Sequence, residues 1–457
     1  MFDRFRAVFS RGGVGLHHSR AIHALYRRIL EQGYGEKHAA RMARFSTNLG
    51  RLYAQPIRLL TPYQLLMAAF RLKGHECLLT DAAGSLLVFD EIHVYELGRL
   101  AMLVEFIRFL VQALGCRIVV MSATLPALFR EVLGPVLQAQ VVRAEPELLQ
   151  AFTRHRITVR TGHLEDALPE VCADYHKGSA VLIVCNTVDT AISIYRRLLH
   201  QLPDAQGLEL LHGRFTPRDR LAKETGLMRR LGTRSRNRAS GGAILVATQV
   251  VEVSLDVDFD ILYSEPAPLE ALLQRFGRVN RGRSQADCPV VVFEAPSSTH
   301  DVYQEQSLLV ERALHILRRN DGELLLEGAV EGWLDEVYAE PVRSQWLKSF
   351  DAAATEFRAS CLDSMAGFNA DTELREQFYR MFDGIDVLPD CLLEEYQSLL
   401  EREPLRSGEL LVNLRWGQYC AVKKRGLVTE LDALEGVRIV NLPYSDQYGL
   451  LLRADEA

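Results

Sequence analysis

The chain has 457 residues, of which 48% are hydrophobic and 25% are charged, and its formal net charge is −6. This length exceeds what one hydrophobic core usually holds, so we expect two or three domains. The acidic balance excludes attraction of nucleic acid by the field of the whole molecule, so any such contact must come from local placement of Arg and Lys.

The sequence also limits the cellular context. No stretch approaches the roughly 18 uninterrupted apolar residues of a membrane span, and no apolar segment follows a basic start as in a secretory signal. The eight cysteines include no C-x-x-C pair, which argues against a zinc site and against a disulfide framework. We therefore expect a protein of the reducing cytoplasm, without a membrane partner.

Seven short apolar runs predict buried parallel strands, because each is continuously hydrophobic and is followed by a helix-length segment. The runs are Leu86–Phe89, Ile118–Met121, Val181–Val184, Leu208–Leu211, Ile244–Val246, Ile261–Tyr263 and Val290–Phe293. Between the first two, Leu97–Leu114 carries apolar residues at helical spacing and ends before Gly115, which predicts a helix. Strands that alternate with helices predict an α/β fold.

The predicted elements fall into three regions. Residues 1–145 hold the first group of strands and residues 146–295 hold the second, which predicts two sheet domains in tandem. In residues 296–457 the strand-like runs become rare, and Val302–Arg319 and Leu374–Glu401 are interpreted as helical. We expect this third region to be a mostly helical accessory region.

Polar residues directly follow the first two apolar runs, at the sheet edge where ligands usually bind. Asp90 and Glu91 have the form of a Walker B element, in which one carboxylate holds Mg²⁺ and its neighbour orients the attacking water. An acidic pair at a strand end also arises by chance. With His93 the set becomes D-E-x-H, and Ser122-Ala123-Thr124 follows the second run, which is a far more specific combination.

A third pattern, Q-R-x-G-R-x-x-R, spans Gln274–Arg281. Arginines at the boundary between two sheet domains can reach a nucleotide and stabilise the charge that develops on the transferring phosphoryl group. The alternative is a surface helix with ordinary salt bridges. Three arginines at this spacing from Gln and Gly favour the nucleotide interpretation.

Taken in order, these three patterns resemble the motifs of superfamily 2 DExH helicases. Five segments more narrowly resemble the CRISPR-associated type I helicase-nuclease: Asp90–Glu96, Ser122–Pro126, His212–Arg220, Ala247–Asp260 and Gln274–Arg281. The resemblance implies two tandem RecA-like parallel-sheet domains, the first one incomplete. It also implies an ATP-dependent DNA helicase or translocase of CRISPR antiviral defence, which unwinds target DNA after recruitment by the guide-RNA surveillance complex.

The resemblance further implies residue roles in the binding and hydrolysis of ATP with Mg²⁺. Asp90 would ligate the magnesium, Glu91 would orient the attacking water, and His93 would couple the nucleotide site to the second domain. Ser122 and Thr124 would link hydrolysis to DNA movement. The residues implied to approach the nucleotide and its phosphates are Asp256, Gln274, Arg278 and Arg281, with Arg281 as the arginine finger.

Contacts to the backbone of single-stranded DNA are implied for a second set of residues. They are Thr61, Gln64, Thr187, Arg214 and Thr248. Thr61 followed by Pro62 is equally well explained as an ordinary helix N-cap with Pro at the first turn.

The sequence departs from the family pattern in two respects. No G-x-x-x-x-G-K-[ST] string exists, and the nearest candidate, Arg11–Gly15, has no following Lys. We therefore expect a truncated form whose first domain lacks its P-loop, with the missing N-terminal part upstream or on another polypeptide. His300-Asp301 stands alone and is interpreted as a loop, so we expect no nuclease in this chain and leave a separate nuclease subunit open.

Two other functions compete with the ATP-dependent enzyme. The first is a non-catalytic, helicase-like remnant that binds single-stranded nucleic acid without hydrolysis. The second is a DExH RNA helicase outside CRISPR, which the residues present in the segments Asp90–Glu96 and His212–Arg220 disfavour.

Overall fold

A computed structural model of the chain describes residues 2–9, 13–18, 21–122, 125–138, 140–233, 241–252, 255–298, 302–367, 371–382, 384–430 and 437–453. The chain forms two compact units. The first unit contains residues 1–123, 129–139 and 345–440, and the second contains residues 124–128, 140–344 and 441–457. Residues 296–457, predicted as one accessory region, are therefore divided between the two units.

The first part of the chain contributes four strands in two parallel pairs. β1 (Val14–His17) pairs with β2 (Ile57–Leu60), and β3 (Leu86–Asp90) pairs with β4 (Arg117–Met121). The two apolar runs predicted here are confirmed as β3 and β4. The strands β1 and β2 were not predicted, because His17 and Arg58 interrupt their short apolar stretches.

Seven helices accompany these strands among the described residues. They are α1 (Phe2–Val8), α2 (Ala21–Glu31), α3 (Glu36–Arg51), α4 (Pro62–Ala69), α5 (His75–Ala82), α6 (Leu97–Leu114) and α7 (Ala127–Leu137). The prediction for α6 is confirmed to the residue. The helix ends before Gly115, which adopts φ 64° and whose N–H donates to the carbonyl of Val111 at 3.2 Å. Glycine tolerates this left-handed conformation without a Cβ penalty, so the helix stops there.

The β3–β4 pair is covered unevenly. Phe89 is buried, whereas Leu86, Val88, Val119 and Met121 are 55%, 54%, 42% and 46% exposed. Alternate residues of a strand share a face, and the register pairs Val88 with Val119, so these four side chains lie on one face. One face of this pair thus presents apolar side chains to solvent, although parallel sheets usually have both faces covered.

The second unit is built on a six-stranded, all-parallel sheet. Its strands are β5 (His155–His163), β6 (Ala180–Val184), β7 (Leu208–Leu211), β8 (Ala243–Ala247), β9 (Ile261–Ser264) and β10 (Cys288–Ala295), in the order β5-β10-β9-β6-β8-β7. Every residue of β6 and β8 is buried. This explains their continuous apolar sequence, because strands covered on both faces cannot alternate with polar residues. The five runs predicted in this region are confirmed as parallel strands.

Helices separate the strands of this sheet and continue after it. They are α8 (Pro146–Gln150), α9 (Leu168–His176), α10 (Val188–Gln201), α11 (Pro217–Leu231), α12 (Leu269–Phe276), α13 (Ser307–Arg319) and α14 (Val330–Val337). These helices cover the sheet with apolar side chains; for example, Ile183 of β6 packs in one core with Leu168 of α9 and Ile194 of α10. The α/β fold class predicted from the sequence is confirmed.

The remaining chain adds helices and a small mixed sheet. The helices are α15 (Val342–Phe357), α16 (Thr372–Phe382), α17 (Leu393–Arg402), α18 (Pro404–Ser407) and α19 (Trp416–Lys424). The strands are β11 (Ile385–Pro389), β12 (Val412–Leu414), β13 (Val428–Glu430) and β14 (Arg438–Val440), in the order β12-β11-β14-β13, followed by β15 (Tyr444–Ser445) and β16 (Gly449–Leu450). Within the part of the chain that the structure describes, no helix is both long and apolar enough to span a membrane.

One helical prediction in this part is wrong. Residues 374–401 do not form a continuous helical stretch, because β11 lies between α16 and α17. Gly384 lies close to Asn413 of the neighbouring strand β12. Ile385 and Val387 follow it in β11, and both side chains are buried. The apolar residues of β11 were mistaken for one face of a helix because a short run of them fits either period.

A buried histidine at the start of β5 makes the second unit sensitive to acid. His155 is 2% exposed, and its Nε2 lies 3.0 Å from the carbonyl oxygen of Val279, to which it donates. Burial lowers the pKa of His155 to about 4. An unfolded histidine has a pKa of about 6.5, so between these two values the unfolded chain binds the extra proton.

Replacing His155 with Gln should flatten the pH dependence of stability in this window. The neutral His155 contributes stability above about pH 6.5 that is lost as the pH falls toward 4, at no more than about 1.4 kcal/mol per pH unit. Thermal unfolding of both proteins between pH 7.5 and 5 measures this effect. The stability advantage of the parent over His155→Gln should shrink steadily on acidification, and an advantage that stays constant would contradict the assignment.

Candidate functional site

Two carboxylates stand at the carboxyl end of β3. Asp90 ends the strand with its side chain exposed, and Glu91 follows in the left-handed conformation with φ 54°. The Glu91 N–H donates to the carbonyl of Met121 at 2.9 Å, which continues the pairing with β4 beyond the strand. Left-handed residues other than Gly and Asn are uncommon and often mark functional sites. The turn leaves the Glu91 side chain 51% exposed beside Asp90.

His93 joins these carboxylates to the end of the neighbouring strand. Its Nδ1 lies 2.7 Å from the Ser122 hydroxyl and 3.4 Å from a carboxylate oxygen of Glu91. Burial lowers the pKa of His93 to about 4, although the charge of Asp90 opposes this shift, so the ring is neutral at pH 7. The structure therefore brings together Glu91, His93 and Ser122 from two separate sequence motifs. Thr124 and His300-Asp301 lie outside the described residues.

The chemistry of this strand end suits Mg²⁺. Magnesium is usually held by one or two carboxylates, and phosphate oxygens and waters complete its octahedron. Across the described ranges, no three His, Cys, Asp or Glu side chains cluster as an all-protein metal site would require. Asp90, exposed at the tip of β3, fits the carboxylate that such an ion needs, with the other ligands coming from a bound phosphate and water.

In the second unit, a buried arginine ties the strand ends together. Arg275 of α12 is fully buried, and its Nε donates to Glu252 at 2.9 Å. Its Nη1 donates to the hydroxyl of Ser264 at 2.9 Å and the carbonyl of Glu265 at 3.1 Å, and its Nη2 donates to Asn186 at 3.3 Å. Arg275 thus links the ends of β6 and β9 to the segment after β8. No role was predicted for this residue, although the motif contains it.

Arg278, three residues further on, also binds backbone. Its Nη1 donates to the carbonyl of Leu255 at 2.7 Å and its Nη2 to the carbonyl of Glu252 at 2.5 Å. These bonds fix the chain just before Asp256. Gln274, predicted to approach the nucleotide, is half-buried in the last turn of α12.

Arg281 differs from the other two arginines because it is exposed. Its Nε lies 3.5 Å from a carboxylate oxygen of Asp256, and both side chains are 40% exposed. Asp256 also accepts a hydrogen bond from Thr233 at 3.0 Å. The Arg281 N–H donates to the buried Asp258 at 2.7 Å, which anchors the backbone. Two residues predicted to serve the nucleotide, Asp256 and Arg281, therefore meet in the structure.

The residues predicted to touch DNA in the second unit are held by partners within the protein. Thr187 caps α10, where its hydroxyl accepts from the Thr190 N–H at 3.1 Å. Arg214 has a side chain only 10% exposed, and its Nη1 lies 2.8 Å from Asp189. Thr248 is buried at the end of β8, and its N–H donates to a carbonyl of β7 at 3.3 Å. These residues lie at or near strand ends, as expected, but none of the three presents a fully exposed side chain.

The two predicted DNA contacts of the first unit lie at the start of α4. Thr61 is exposed in the N-cap position, but its hydroxyl accepts no capping hydrogen bond from the described part of the helix. Gln64 is half-buried in the first turn. The capping role that competed with a DNA role for Thr61 is thus not served by its hydroxyl in this structure.

Comparison with known proteins supports one family. The family model described as CRISPR-associated nuclease/helicase Cas3, C-terminal, matches residues 177–284. A CRISPR-associated nuclease/helicase Cas3 from Methanothermobacter thermautotrophicus is 27% identical over 374 residues, covering 77% of this chain and 43% of that protein. The chain thus spans less than half the length of this curated relative.

Two solved structures share the fold. The crystal structure of T. fusca Cas3-ATP aligns with a TM-score of 0.71 at 21% identity, over 98% of this chain and 62% of that one. A structure described as a CRISPR RNA-guided surveillance complex, pre-nicking, aligns with a TM-score of 0.63 at 20% identity, over 96% and 62% of the two chains. At these identities the structural likeness establishes the fold.

Replacing Arg275 with Met should destabilise the second unit by about 3–5 kcal/mol, because Glu252, whose side chain is only 11% exposed, would lose its charged partner. Burial already raises the pKa of Glu252, and the charge of Arg275 opposes that shift. Urea unfolding followed by circular dichroism measures the loss. Adding Glu252→Gln to Arg275→Met should recover part of it.

The matched control is Arg156→Met, which removes an exposed ion pair with Asp287. Exposed pairs contribute about 0–1 kcal/mol, so this variant should stay near the parent. Two results would contradict this explanation: equal losses of stability in Arg156→Met and Arg275→Met, or strictly additive effects of Arg275→Met and Glu252→Gln. Either result would show that the buried charge of Arg275 does not hold the strand ends together.

Proposed function

We propose that this chain, a Cas3-type helicase portion of a CRISPR-associated nuclease/helicase, works as an ATP-driven translocase on single-stranded DNA in antiviral defence. The observation that carries the proposal is the hydrogen bond between His93 and Ser122 at 2.7 Å. It links the exposed carboxylates at the end of β3 to the end of β4, where the next helicase motif begins. A change at the carboxylates during ATP hydrolysis can therefore reach the second motif through one neutral side chain.

Each carboxylate has a distinct role in the proposed hydrolysis. Asp90 would hold Mg²⁺, which when bound offsets charge on the phosphate oxygens. Glu91 would accept a hydrogen bond from the attacking water and orient it for in-line attack. Its left-handed backbone is anchored to Met121, and its carboxylate lies 3.4 Å from His93 Nδ1. Positioning of this kind supplies much of the catalysis in phosphoryl transfer.

We propose that the motif of residues 274–281 supplies the cationic groups for ATP hydrolysis. Arg281 is the proposed arginine finger, because it is the exposed cation of the motif, whereas Arg275 is fully buried. Arg278 supports the segment that carries Asp256, and we propose that Gln274 and Asp256 complete the approach to the nucleotide. A phosphate at Arg281 would compete with Asp256 for the guanidinium, so nucleotide binding would have to break this ion pair.

The phosphates also need a cradle of backbone N–H groups and a lysine, and the sequence holds no P-loop string. We therefore propose ATP turnover for this chain only together with a polypeptide segment that provides one. Solved Cas3 structures described with ATP support nucleotide binding in the family. A nuclease would likewise come from another segment or a separate subunit, since the relatives are named nuclease/helicases.

Single-stranded DNA is the proposed track. Thr61, Gln64, Thr187 and Thr248 would contact its backbone, and Arg214 would act from the loop it stabilises through Asp189. The proposed partner that delivers the DNA is the guide-RNA surveillance complex, because a structure described as such a complex shares this fold. The proposed setting is the cytoplasm, where that complex would meet target DNA.

A second candidate function is favoured by one observation, the lack of a P-loop string. Without that cradle the chain would be a helicase-like scaffold that binds single-stranded DNA and hydrolyses nothing. Both candidates predict DNA binding, so only nucleotide turnover separates them.

The deciding measurement is ATP hydrolysis stimulated by single-stranded DNA in the presence of Mg²⁺. The chain alone should show little or no turnover, because binding and rate both depend on the phosphate cradle. A version extended by the sequence that precedes it in its gene, if that sequence carries a P-loop, should hydrolyse ATP. Glu91→Gln in the extended version should abolish turnover and spare nucleotide binding, since Gln keeps the shape but loses the basic carboxylate.

Three results would count against this proposal. Robust turnover by the chain alone would show that another segment holds the phosphates. Unchanged turnover in Glu91→Gln would remove the role assigned to that carboxylate. An extended version that carries a P-loop and binds DNA without hydrolysing ATP would favour the scaffold.

Arg281→Ala in the extended version should lower turnover by roughly 10³-fold, by analogy with arginine fingers, and should change ATP affinity much less. The matched control is the neighbouring Arg283→Ala, which removes a cation that lies 4.0 Å from the centre of the Phe152 ring. This control should retain turnover. Equal losses of affinity and turnover in Arg281→Ala would instead make Arg281 a contact of the bound nucleotide in its ground state.

A further inference from the structure

The last described part of the chain returns to the second unit as a small hairpin. We call residues 441–453 the C-terminal hairpin; in it β15 and β16 pair antiparallel, with Tyr444 opposite Leu450. Leu450 is fully buried and Leu451 is 4% exposed within the core that contains β6 and α10. The hairpin is therefore an integral part of the second unit, although residues 345–440 of the first unit separate it from the sheet in sequence.

Tyr444 binds the start of α11. Its hydroxyl accepts a hydrogen bond from the Thr216 N–H at 3.1 Å and donates to the carboxylate of Asp219 at 2.5 Å. Thr216 is the N-cap of α11, and its hydroxyl accepts from the Asp219 N–H at 3.2 Å. Thr216 is fully buried, and its N–H and the Asp219 N–H both have partners within the protein. Tyr444 thus fixes the exit of the loop formed by residues 212–216.

The other strand of the hairpin fixes the entrance of the same loop. His212 is fully buried, and its Nε2 lies 3.0 Å from the carbonyl of Tyr448, while its Nδ1 lies 3.1 Å from the Arg214 N–H. Burial lowers the pKa of His212 to about 3, so the ring is neutral. With Nδ1 accepting from Arg214, its single proton lies on Nε2 and is donated to Tyr448. The Leu450 N–H also donates to the Arg214 carbonyl at 2.9 Å.

Gly449 allows this close approach. It adopts φ 70°, and a Cβ at this position would lie 2.7 Å from His212 Cε1 and 2.9 Å from the Arg214 carbonyl oxygen. Backbone atoms cannot yield as a flexible side chain can, so only glycine fits here. The backbone of the hairpin at Gly449 therefore packs directly against His212 and the backbone of Arg214.

From these contacts we infer that the C-terminal hairpin is a positioning element for the loop of residues 212–216, and that through this loop it sets the binding of single-stranded DNA. Tyr444 and Gly449 are its positioning residues, and neither is proposed to touch DNA. The inference rests on the proposed function, because the loop carries Arg214, held against Asp189 at one end of α10. Because the loop is held at both ends, its groups are already in place for a phosphate backbone. The loop therefore does not have to become ordered when DNA binds.

The first test is Tyr444→Phe in the full chain, which removes only the hydroxyl. Hydrogen exchange followed by mass spectrometry should show faster exchange of the amides at residues 212–216. Binding of a fluorescein-labelled oligothymidine, measured by anisotropy at several salt concentrations, should weaken roughly three- to tenfold, with the salt slope falling by about 0.7 for each phosphate that is no longer neutralised. The control is Tyr195→Phe, because the Tyr195 hydroxyl bonds to Gln447 on the hairpin at 3.5 Å, outside the loop.

A second pair of variants tests the close approach. Gly449→Ala should weaken DNA binding and loosen the loop, whereas Gly178→Ala should do neither. Gly178 has φ 89° and open space where its Cβ would stand, so both substitutions strain the backbone but only one pushes on the loop. Comparable thermal destabilisation of the two variants, with DNA binding lost only in Gly449→Ala, would support the inference over general damage to the unit.

The outcomes separate this inference from the proposed function. Slower or unchanged exchange at residues 212–216 in Tyr444→Phe would overturn the positioning role. Faster exchange with unchanged DNA affinity would overturn the link to DNA. A parent chain that binds no oligothymidine would contradict the proposed function and with it the DNA part of the inference, while the exchange comparison would still decide whether the hairpin holds the loop.

Discussion

The second unit depends on the burial of one permanent positive charge. A guanidinium cannot release its proton in a protein, so the desolvation of Arg275 must be balanced by acceptors. Glu252, Ser264 and Asn186 provide them from three different parts of the sheet edge. The arrangement leaves little freedom to these segments, because moving any one of them would strand a buried polar group. Arg278 and Arg281 follow Arg275 in the sequence, so the anchored Arg275 also limits where their backbone can lie.

The sequence predicted the parts of this fold in which one local signal dominates. Each of the seven apolar runs singled out in the sequence forms a parallel strand, and α6 ends before Gly115, which adopts the left-handed conformation. Long-range pairing could not be predicted in this way. β11 was taken for helix, since a short apolar run fits both periods, and the small sheet it joins depends on partners far along the chain.

The candidate site shows the same division. The motifs predicted which residues stand at strand ends, and the meeting of His93 with Ser122 follows from the parallel register of β3 and β4. Spacing alone could not tell the three arginines of one motif apart. Arg275 is buried, Arg278 binds carbonyls and Arg281 is exposed. Their environments depend on contacts with Glu252, Leu255 and Asp256, which form only in the folded chain.

The C-terminal hairpin also has a consequence for the order of events during synthesis. The sheet of the second unit is complete once β10 has left the ribosome, and domains generally fold as they emerge. At that stage the loop of residues 212–216 still lacks its contacts with Tyr444 and Gly449. Residues 345–440, which belong to the first unit, must be translated before the hairpin can supply them. The second unit therefore reaches its final form only after residues 441–453 have been translated, and until then this loop lacks the contacts that Tyr444 and Gly449 provide.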